Sequence, residues 1–421
     1  MAQRGIRVPY LVWLRPGAHL KRWVLLAGIA LVACSLGVGI VMADFYRQQH
    51  FPEWVWYATL QFIPRLPRGL LLASIGLTLG AFALYRFSRS LVGAILPGPS
   101  GAVIQQGLER RRLQAGPKVV AIGGGHGLST LLKGLKGLTA NTTAIVTVAD
   151  DGGSSGKLRR DLGILPPGDF RQCLVALADA EPLMAELLQH RFKESSHLAG
   201  HSFGNLFLTA MAEITGSFDK ALEESSRVLA VRGRVLPSTL EDVTLCAELE
   251  DGRVVMGESM IGHAGSPIKR VYLDPPNAAG HSDAVQAILE ADAVIVGPGS
   301  LYTSVLPNLL VSDIGWALSK TRAKRVYVCN VATEEGETSG YSVSDFVRAI
   351  ENHLGSFPID CVLANNNLPR GSAYSSVELV PTDRGRATRS QVLEADLISD
   401  QNPAHHDPRK LASALERVAL T

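Results

Sequence analysis

From Pro117 onward the chain alternates short apolar runs with segments whose apolar residues recur every three or four positions. Lys118 to Ile122 reads as a strand that enters Gly123-Gly124-Gly125-His126-Gly127. Leu128, Leu131, Leu132 and Leu135 then fall on one face of a helix. A second strand, Ala144 to Ala149, ends in Asp150-Asp151 and another glycine-rich stretch. Strand, glycine loop, helix, strand is the opening unit of a doubly wound nucleotide-binding sheet. The pattern resumes later, with helices near Asp283 to Glu290, Asn308 to Lys320 and Val343 to His353. These alternate with the strands Ala293 to Val296, Val326 to Asn330 and Ile359 to Ala364. The strands are nearly all apolar, as parallel strands covered on both faces are. Between the two halves, Val243 to Ser259 alternates weakly around Asp251-Gly252, a hairpin signature, and Ile268 to Leu273 adds a strand. The β insertion carries no chemical motif, so Glu258 is expected to be solvated or locally paired.

The N-terminal region differs in kind. Trp23 to Ala43 is an uncharged apolar run, long enough for a membrane span of about 20 residues. Gly69 to Tyr85 is a second run, which Arg68 and Arg86 extend by snorkelling. Cations precede the first run (Arg4, Arg7, Arg15, Lys21, Arg22) and follow the second (Arg86, Arg89, Arg110 to Arg112). The positive-inside rule then puts both ends in the cytoplasm, joined by an external loop. A signal peptide fits less well, and so does a lipoprotein box at Leu31-Val32-Ala33-Cys34, because the apolar run continues past Cys34. The expected organisation is a membrane hairpin over 1–92 (spans about 23–43 and 69–86) and a linker over 93–116. A Rossmann-like, nucleotide-binding domain over 117–381 and a C-terminal tail and helix over 382–421 complete it. The fold class is α/β: a doubly wound, mostly parallel Rossmann-like sheet with a β insertion, preceded by a two-helix transmembrane hairpin.

Charge narrows the function. The 421 residues hold 41 Lys+Arg against 39 Asp+Glu, a balance that gives no case for nucleic-acid binding. Five cysteines (Cys34, Cys173, Cys246, Cys329, Cys361) are scattered without a C-x-x-C pair, as buried thiols in a reducing compartment are. The first glycine loop fits neither common template: G-x-G-x-x-G from Gly123 would need glycine where Leu128 stands, and a Walker loop's Gly-Lys-Ser/Thr is absent. Glycines and a helix N-terminus still suit a phosphate. The second loop crowds Asp150, Asp151, Ser154, Ser155, Lys157, Arg159, Arg160, Asp161, Asp169 and Arg171 into one short stretch. Asp169 follows Pro166-Pro167 and either caps the next helix, Phe170 to Phe192, or meets the ligand. Gly200-His201-Ser202-Phe203-Gly204-Asn205 opens a further helix with Leu206, Ala210 and Ile214 as its apolar face. There His201 suits a phosphate or a cap, and Asn205 a base or sugar. Small polar groups end the later strands: Ser300, Tyr302, Thr303 and Ser304; Asn330; Asn365 to Asn367. Ligands of such sheets sit outside those strand ends. Glu334 reads as part of a solvated loop, Glu337 stays open between loop and metal, and His405-His406 reads as a mobile loop before a final helix, Arg409 to Leu420.

The motifs GGGHGLS, ADDGGSSGKLRRDLGILPPGDFR, GHSFGNLFL, GPGSLYTSVLPNLL and EEGETSGYS occur in that order over Pro117 to Asn367. Together they resemble the YvcK/CofD family, whose branches are the gluconeogenesis factors and the 2-phospho-L-lactate transferases. The opening loop and GPGSLYTS are similar to the gluconeogenesis-factor branch. That branch implies binding of UDP-sugars, notably UDP-N-acetylglucosamine, and a role in cell shape and wall synthesis, with no established reaction. The transferase branch implies movement of a phospholactyl group from a guanosine diphosphate carrier to a deazaflavin, with Mg²⁺.

The residues expected to hold the ligand are Gly123, Gly124, Gly125, His126, Gly127, Asp151, Ser154, Ser155, Arg159, Asp169, Arg171, His201, Asn205, Gly299, Ser300, Thr303 and Asn330. Asp150 and Asp151 are the candidates for catalysis and for Mg²⁺, the one cofactor considered. The primary expectation is a membrane-tethered cytoplasmic regulator that binds a nucleoside-diphosphate sugar. A Mg²⁺-dependent phosphotransferase and a scaffold with a vestigial cleft are the alternatives. Homo-oligomers and contacts with cell-wall synthesis proteins stay open.

Overall fold

The computed structural model describes residues 111–179, 182–193, 198–355, 359–367, 377–383 and 390–419, with scattered positions between 28 and 109. The chain divides into two compact units, Met1–Ser100 and Gly101–Thr421. In the first, residues 66–71 and 74–78 are helical, and Leu66, Leu70, Ile75 and Leu77 are exposed. Among the described residues no helix is long and apolar enough to cross a membrane. The first expected span, 23–43, lies almost wholly outside them, and the second, 69–86, lies partly outside.

In the second unit β1 (Val119–Gly123) leads into α1 (Gly125–Leu135) and then β2 (Thr142–Val146). Leu128, Leu131, Leu132 and Leu135 are all fully buried, so the helical face legible in the sequence is the face that packs. Four helices follow the second glycine loop: α2 (Gly153–Leu162), α3 (Pro167–Leu177), α4 (Pro182–Gln189) and α5 (Phe203–Thr215). The single helix expected over Phe170 to Phe192 is thus two. The chain breaks after Ala178, whose backbone bridges to Val231. The apolar face expected on α5 is also corrected: Ile214 is exposed, and Gly204, Asn205, Leu208, Thr209 and Ala212 are the buried positions. α6 (Phe218–Val228) then brings Phe218 edge-on to Phe170, centroids 5.0 Å apart, before β3 (Arg234–Pro237).

The hairpin of β4 (Thr244–Leu249) and β5 (Val254–Met256) is followed by a short helix α7 (Glu258–Ile261) and by β6 (Ile268–Asp274). They form a separate antiparallel sheet ordered β5-β4-β6. α8 (Ser282–Glu290) and β7 (Ala293–Val296) return the chain to the main sheet. A wide π-helical turn, Leu301–Val305, then runs into α9 (Leu306–Leu309), α10 (Ser312–Lys320) and β8 (Lys324–Val328). α11 (Val343–Leu354), β9 (Cys361–Asn365), β10 (Gln391–Ala395) and α12 (Pro408–Ala419) complete the chain.

The main sheet has seven strands, ordered β10-β9-β8-β7-β1-β2-β3, and every pairing in it is parallel. α1 packs on α3 and α12, while α8 packs on α10. Two helix layers of this kind explain why all four residues of β7 are buried. The region read as a C-terminal tail from 382 supplies the edge strand β10 and the helix that rests on α1. Strand order reverses between β1 and β7, so the carboxyl ends of these two strands flank the switch point.

Candidate functional site

A cavity of about 550 Å³ opens at that switch point. One wall is Gly124, Gly125, His126 and Gly127, from the end of β1 into α1. The facing wall is Gly299, Ser300, Thr303 and Ser304, from the loop after β7 and the π-helical turn. Asn330 and Glu334 close one end beyond β8, and Asp150, Asp169 and Glu258 the other. The two glycine walls must lie close. A Cβ on Gly127 would run into the Pro298 carbonyl, and one on Gly124 would stand 2.6 Å from Asp169 Oδ2. The opening residues of a helix have no intrahelical acceptor for their N–H groups. At α1 the Gly125 N–H donates to Asp169 Oδ2 at 2.8 Å, while His126 and Gly127, also in the first turn, line the cavity with N–H groups that have no intrahelical acceptor. On the opposite wall the Gly299 N–H donates to Asn330 Oδ1 at 3.3 Å, which sets the loop after β7.

The structure sorts the residues expected to hold a ligand into two groups. Gly124, Gly125, His126, Gly127, Asp150, Asp169, Gly299, Ser300, Thr303 and Asn330 line the cavity. Gly123 does not; it ends β1 and its carbonyl accepts the Asn308 side-chain amide at 3.0 Å. Asp169 begins α3, yet its carboxylate caps α1 rather than its own helix. Ser154, His201, Asn205 and Arg171 form a chain of hydrogen bonds beside the cavity. Arg171 Nε donates to Asn205 Oδ1 at 2.9 Å, Asn205 Nδ2 donates to Ser154 Oγ at 3.0 Å, and Ser154 Oγ meets His201 Nδ1 at 3.0 Å. They support the site instead of lining it. Ser155 Oγ accepts the Gly168 N–H at 3.1 Å, which fixes the entry to α3. Arg159 is bound to Asp242 and to the Val243 carbonyl, so it clamps α2 to the segment before β4. Asp151 accepts the Ser259 N–H at 2.9 Å and packs against Gly257. Its carboxylate holds the short helix α7 in place, and of the paired acids only Asp150 faces the cavity.

Three cavity residues were read otherwise from the sequence. Glu258 reaches the cavity because Asp151 anchors the turn on which it sits. Glu334 lies against Asn330, whose amide donates to it at 3.3 Å, and not in a solvated loop. His405 lines the wall, and His406 is buried with Nε2 3.2 Å from the Cys329 carbonyl, so this pair is not a mobile loop. Glu337 lies behind the wall, accepting the Thr303 hydroxyl at 3.0 Å, and its Oε2 is buried without a hydrogen-bond partner among the described residues.

The electrostatics follow from this crowding. Among the described lining residues there are four carboxyl groups and three imidazoles, with no lysine or arginine. Burial, reinforced by the charge of Asp150, raises Asp169 to about 6. Burial, with Asp150, Asp151 and Asp169 nearby, raises Glu258 to about 8. Asp150 and Glu334 are shifted upward too, each chiefly by burial. His126 is pushed down by burial and then by His405, Lys133 and Arg171, which favours its neutral form. At neutral pH Glu258 is therefore a hydrogen-bond donor as well as an acceptor.

Fold and cleft together define an α/β protein with a candidate ligand cleft where its parallel sheet reverses strand order. The family profile described as 2-phospho-L-lactate transferase CofD matches residues 119–400, from β1 to just beyond β10. The chain belongs to the YvcK/CofD family, alongside relatives named gluconeogenesis factor. The gluconeogenesis factor of Bacillus subtilis is 49% identical over 307 residues, covering 71% of this chain and 97% of its own. A relative from Nostoc sp. strain PCC 7120 is 46% identical over 415 residues, 96% of this chain and 91% of its own. A crystal structure of a UPF0052-family protein from Bacillus halodurans is 45% identical, covers 72% of this chain and 99% of its own, and superposes with a TM-score of 0.69.

Proposed function

We propose that the protein is a regulator that binds a nucleoside-diphosphate sugar, with UDP-N-acetylglucosamine as the first candidate, and governs cell shape, wall synthesis and growth on gluconeogenic carbon. The observation that carries the reading is the pairing, across one cavity of about 550 Å³, of a helix N-terminus with a second glycine loop at the switch point. Such a cradle suits a diphosphate, and the cavity is in the range that encloses small ligands. The polar groups of Asn330, Thr303 and Glu258 then suit sugar or ribose hydroxyls. Thermal-shift measurements on the full-length protein with UDP-sugars, GDP and Mg²⁺ or a chelator test it. A UDP-sugar at about 100 times its dissociation constant should stabilise the fold by roughly 2.7 kcal/mol. That gain should survive chelation, with no product formed. Silence toward every UDP-sugar would remove the proposal.

One observation favours Mg²⁺-dependent phosphotransfer as the second reading: Asp150 and Asp169 face the same cavity, and the charge of Asp150 adds to burial in raising the proton affinity of Asp169. No group of three or more metal-binding side chains stands ready among the described residues. Mg²⁺ nevertheless settles for one or two carboxylates plus phosphate oxygens, and Asp150 and Asp169 are the residues that would hold it. The ion would neutralise the diphosphate and polarise the transferred group. A phosphorylated or transferred product that disappears in Asp150→Asn would establish this reading over the first.

A membrane tether is also part of the proposal, supported by the two apolar runs and their cationic flanks. Reporter fusions at Gly101 and Thr421 should both report the cytoplasm; external activity at either position would overturn the hairpin.

A further inference from the structure

Beside the main cleft lies a second chamber of about 210 Å³, walled by α1, α3 and the end of α4. It shares His126 and Gln172 with the cleft, but its charge is opposite in kind. Lys133, Arg171 and Arg191 line it, and no acid does among the described residues. We propose that this chamber binds a small oxyanion of the phosphate class, separate from the ligand of the main cleft.

Arg171 is the centre of the argument. It is 8% exposed, and its one hydrogen bond among the described residues runs from Nε to Asn205 Oδ1. Asn205 is in turn held by Ser154, so the guanidinium of a chamber-lining residue is fixed in place while its two terminal nitrogens make no hydrogen bond among the described residues. A buried guanidinium is costly unless its donors are met, and its planar fork matches an oxyanion. Arg191 lines the same chamber, held by a bond from Nη1 to the Gly200 carbonyl at 3.2 Å, and its charge acts on Arg171. Two guanidinium groups facing one chamber repel each other until an anion enters between them. Lys133, exposed on the last turn of α1 and with no ion-pair partner among the described residues, adds a third donor at the mouth. The volume equals about seven waters, enough for a phosphate and part of its hydration shell. Because His126 and Gln172 border both spaces, the anion sits beside the occupant of the cleft, as an effector would.

Calorimetric titration of the full-length protein with inorganic phosphate at low ionic strength tests this directly. One saturable site is expected, with sulfate binding likewise. The double variant Lys133→Gln, Arg191→Gln changes exposed side chains only and should bind phosphate at least about tenfold more weakly. Saturating UDP-N-acetylglucosamine should leave the phosphate site available. Absence of saturable phosphate binding, an unchanged affinity in the double variant, or one-for-one displacement by the UDP-sugar would each overturn the proposal. Phosphate binding is read without reference to the UDP-sugar in the first two measurements, so it stands or falls apart from the reading of the cleft.

Discussion

Gly124→Val should abolish nucleotide binding and also cost about 3 kcal/mol of stability, whereas Gly125→Ala should cost about 1 kcal/mol and act mainly on binding. The difference comes from what surrounds two neighbouring glycines. A Cβ at 124 would meet Asp169 Oδ2 at 2.6 Å and Thr147 Cγ2 at 2.8 Å. Neither can retreat: Asp169 caps the Gly125 N–H, and Thr147 is buried beyond the end of β2. The substitution therefore both overpacks the site and breaks the contact that starts α1. Gly125 differs in that its φ is +58°, while a Cβ there finds nothing nearer than Ser304 Oγ at 4.0 Å. A methyl group is strained by the left-handed backbone and enters the space meant for ligand. Chemical denaturation and calorimetry on both variants check this. Full stability and full affinity in Gly124→Val would show that the loop has neither role. From the sequence alone, valine at either position is expected to spare the fold; the structure allows that only where the cavity is open.

The second large effect is a loss of affinity with rising pH. A diphosphate that enters without a metal ion is repelled by ionised Asp169 and Glu258, so it binds best to the protonated forms. Because burial holds Asp169 near about 6 and Glu258 near about 8, affinity should fall in two steps as pH rises through those values. The upper step alone should weaken binding by about tenfold between pH 7 and 9, since proton uptake at Glu258 accompanies binding over that range. Glu258→Gln should flatten the upper step. Asp151→Asn should keep the upper step but move it to lower pH, because Asp151 contacts the Ser259 N–H instead of the cavity while its charge helps raise Glu258. A divalent cation reverses the sign, since its carboxylate ligands must first lose their protons. Dissociation constants for the UDP-sugar at pH 6 to 9, with and without chelator, distinguish the two. Affinity that climbs with pH only when Mg²⁺ is present would favour the phosphotransfer reading.

The α/β order of the second unit was legible because its elements are local. The spacing of Leu128, Leu131, Leu132 and Leu135, and the unbroken apolar run of β7, report burial directly. The glycine walls were legible for a related reason, since glycines after a strand mark a close approach. What one sequence does not display is the direction in which a side chain points. Asp150 and Asp151 are adjacent and chemically alike, and only their long-range partners separate them. Asp150 turns onto the Gly152 N–H and the cavity, while Asp151 turns toward Ser259, 108 residues away. Ser154, Asn205, His201 and Arg171 look like ligand contacts because supporting hydrogen bonds use the same residue types. Glu258 was missed because nothing near it in sequence is chemical, and His405 because the pairing of β10 with β9 is what carries it to the wall.

The last helix rests on the first: Pro408 lies so near α1 that a Cβ on Gly134 would stand 2.5 Å from its carbonyl oxygen, and His405 completes the wall just before it. The wall is consequently finished by residues that lie far along the chain from the glycine loop they face. Strands β1 and β7 can be made, folded and paired while the trough between them is still open on one side. Domains begin to form during synthesis, but here the cleft stays incomplete until the segment around His405 is made. A chain cut just before His405 would keep every strand of the main sheet while losing part of the cleft wall.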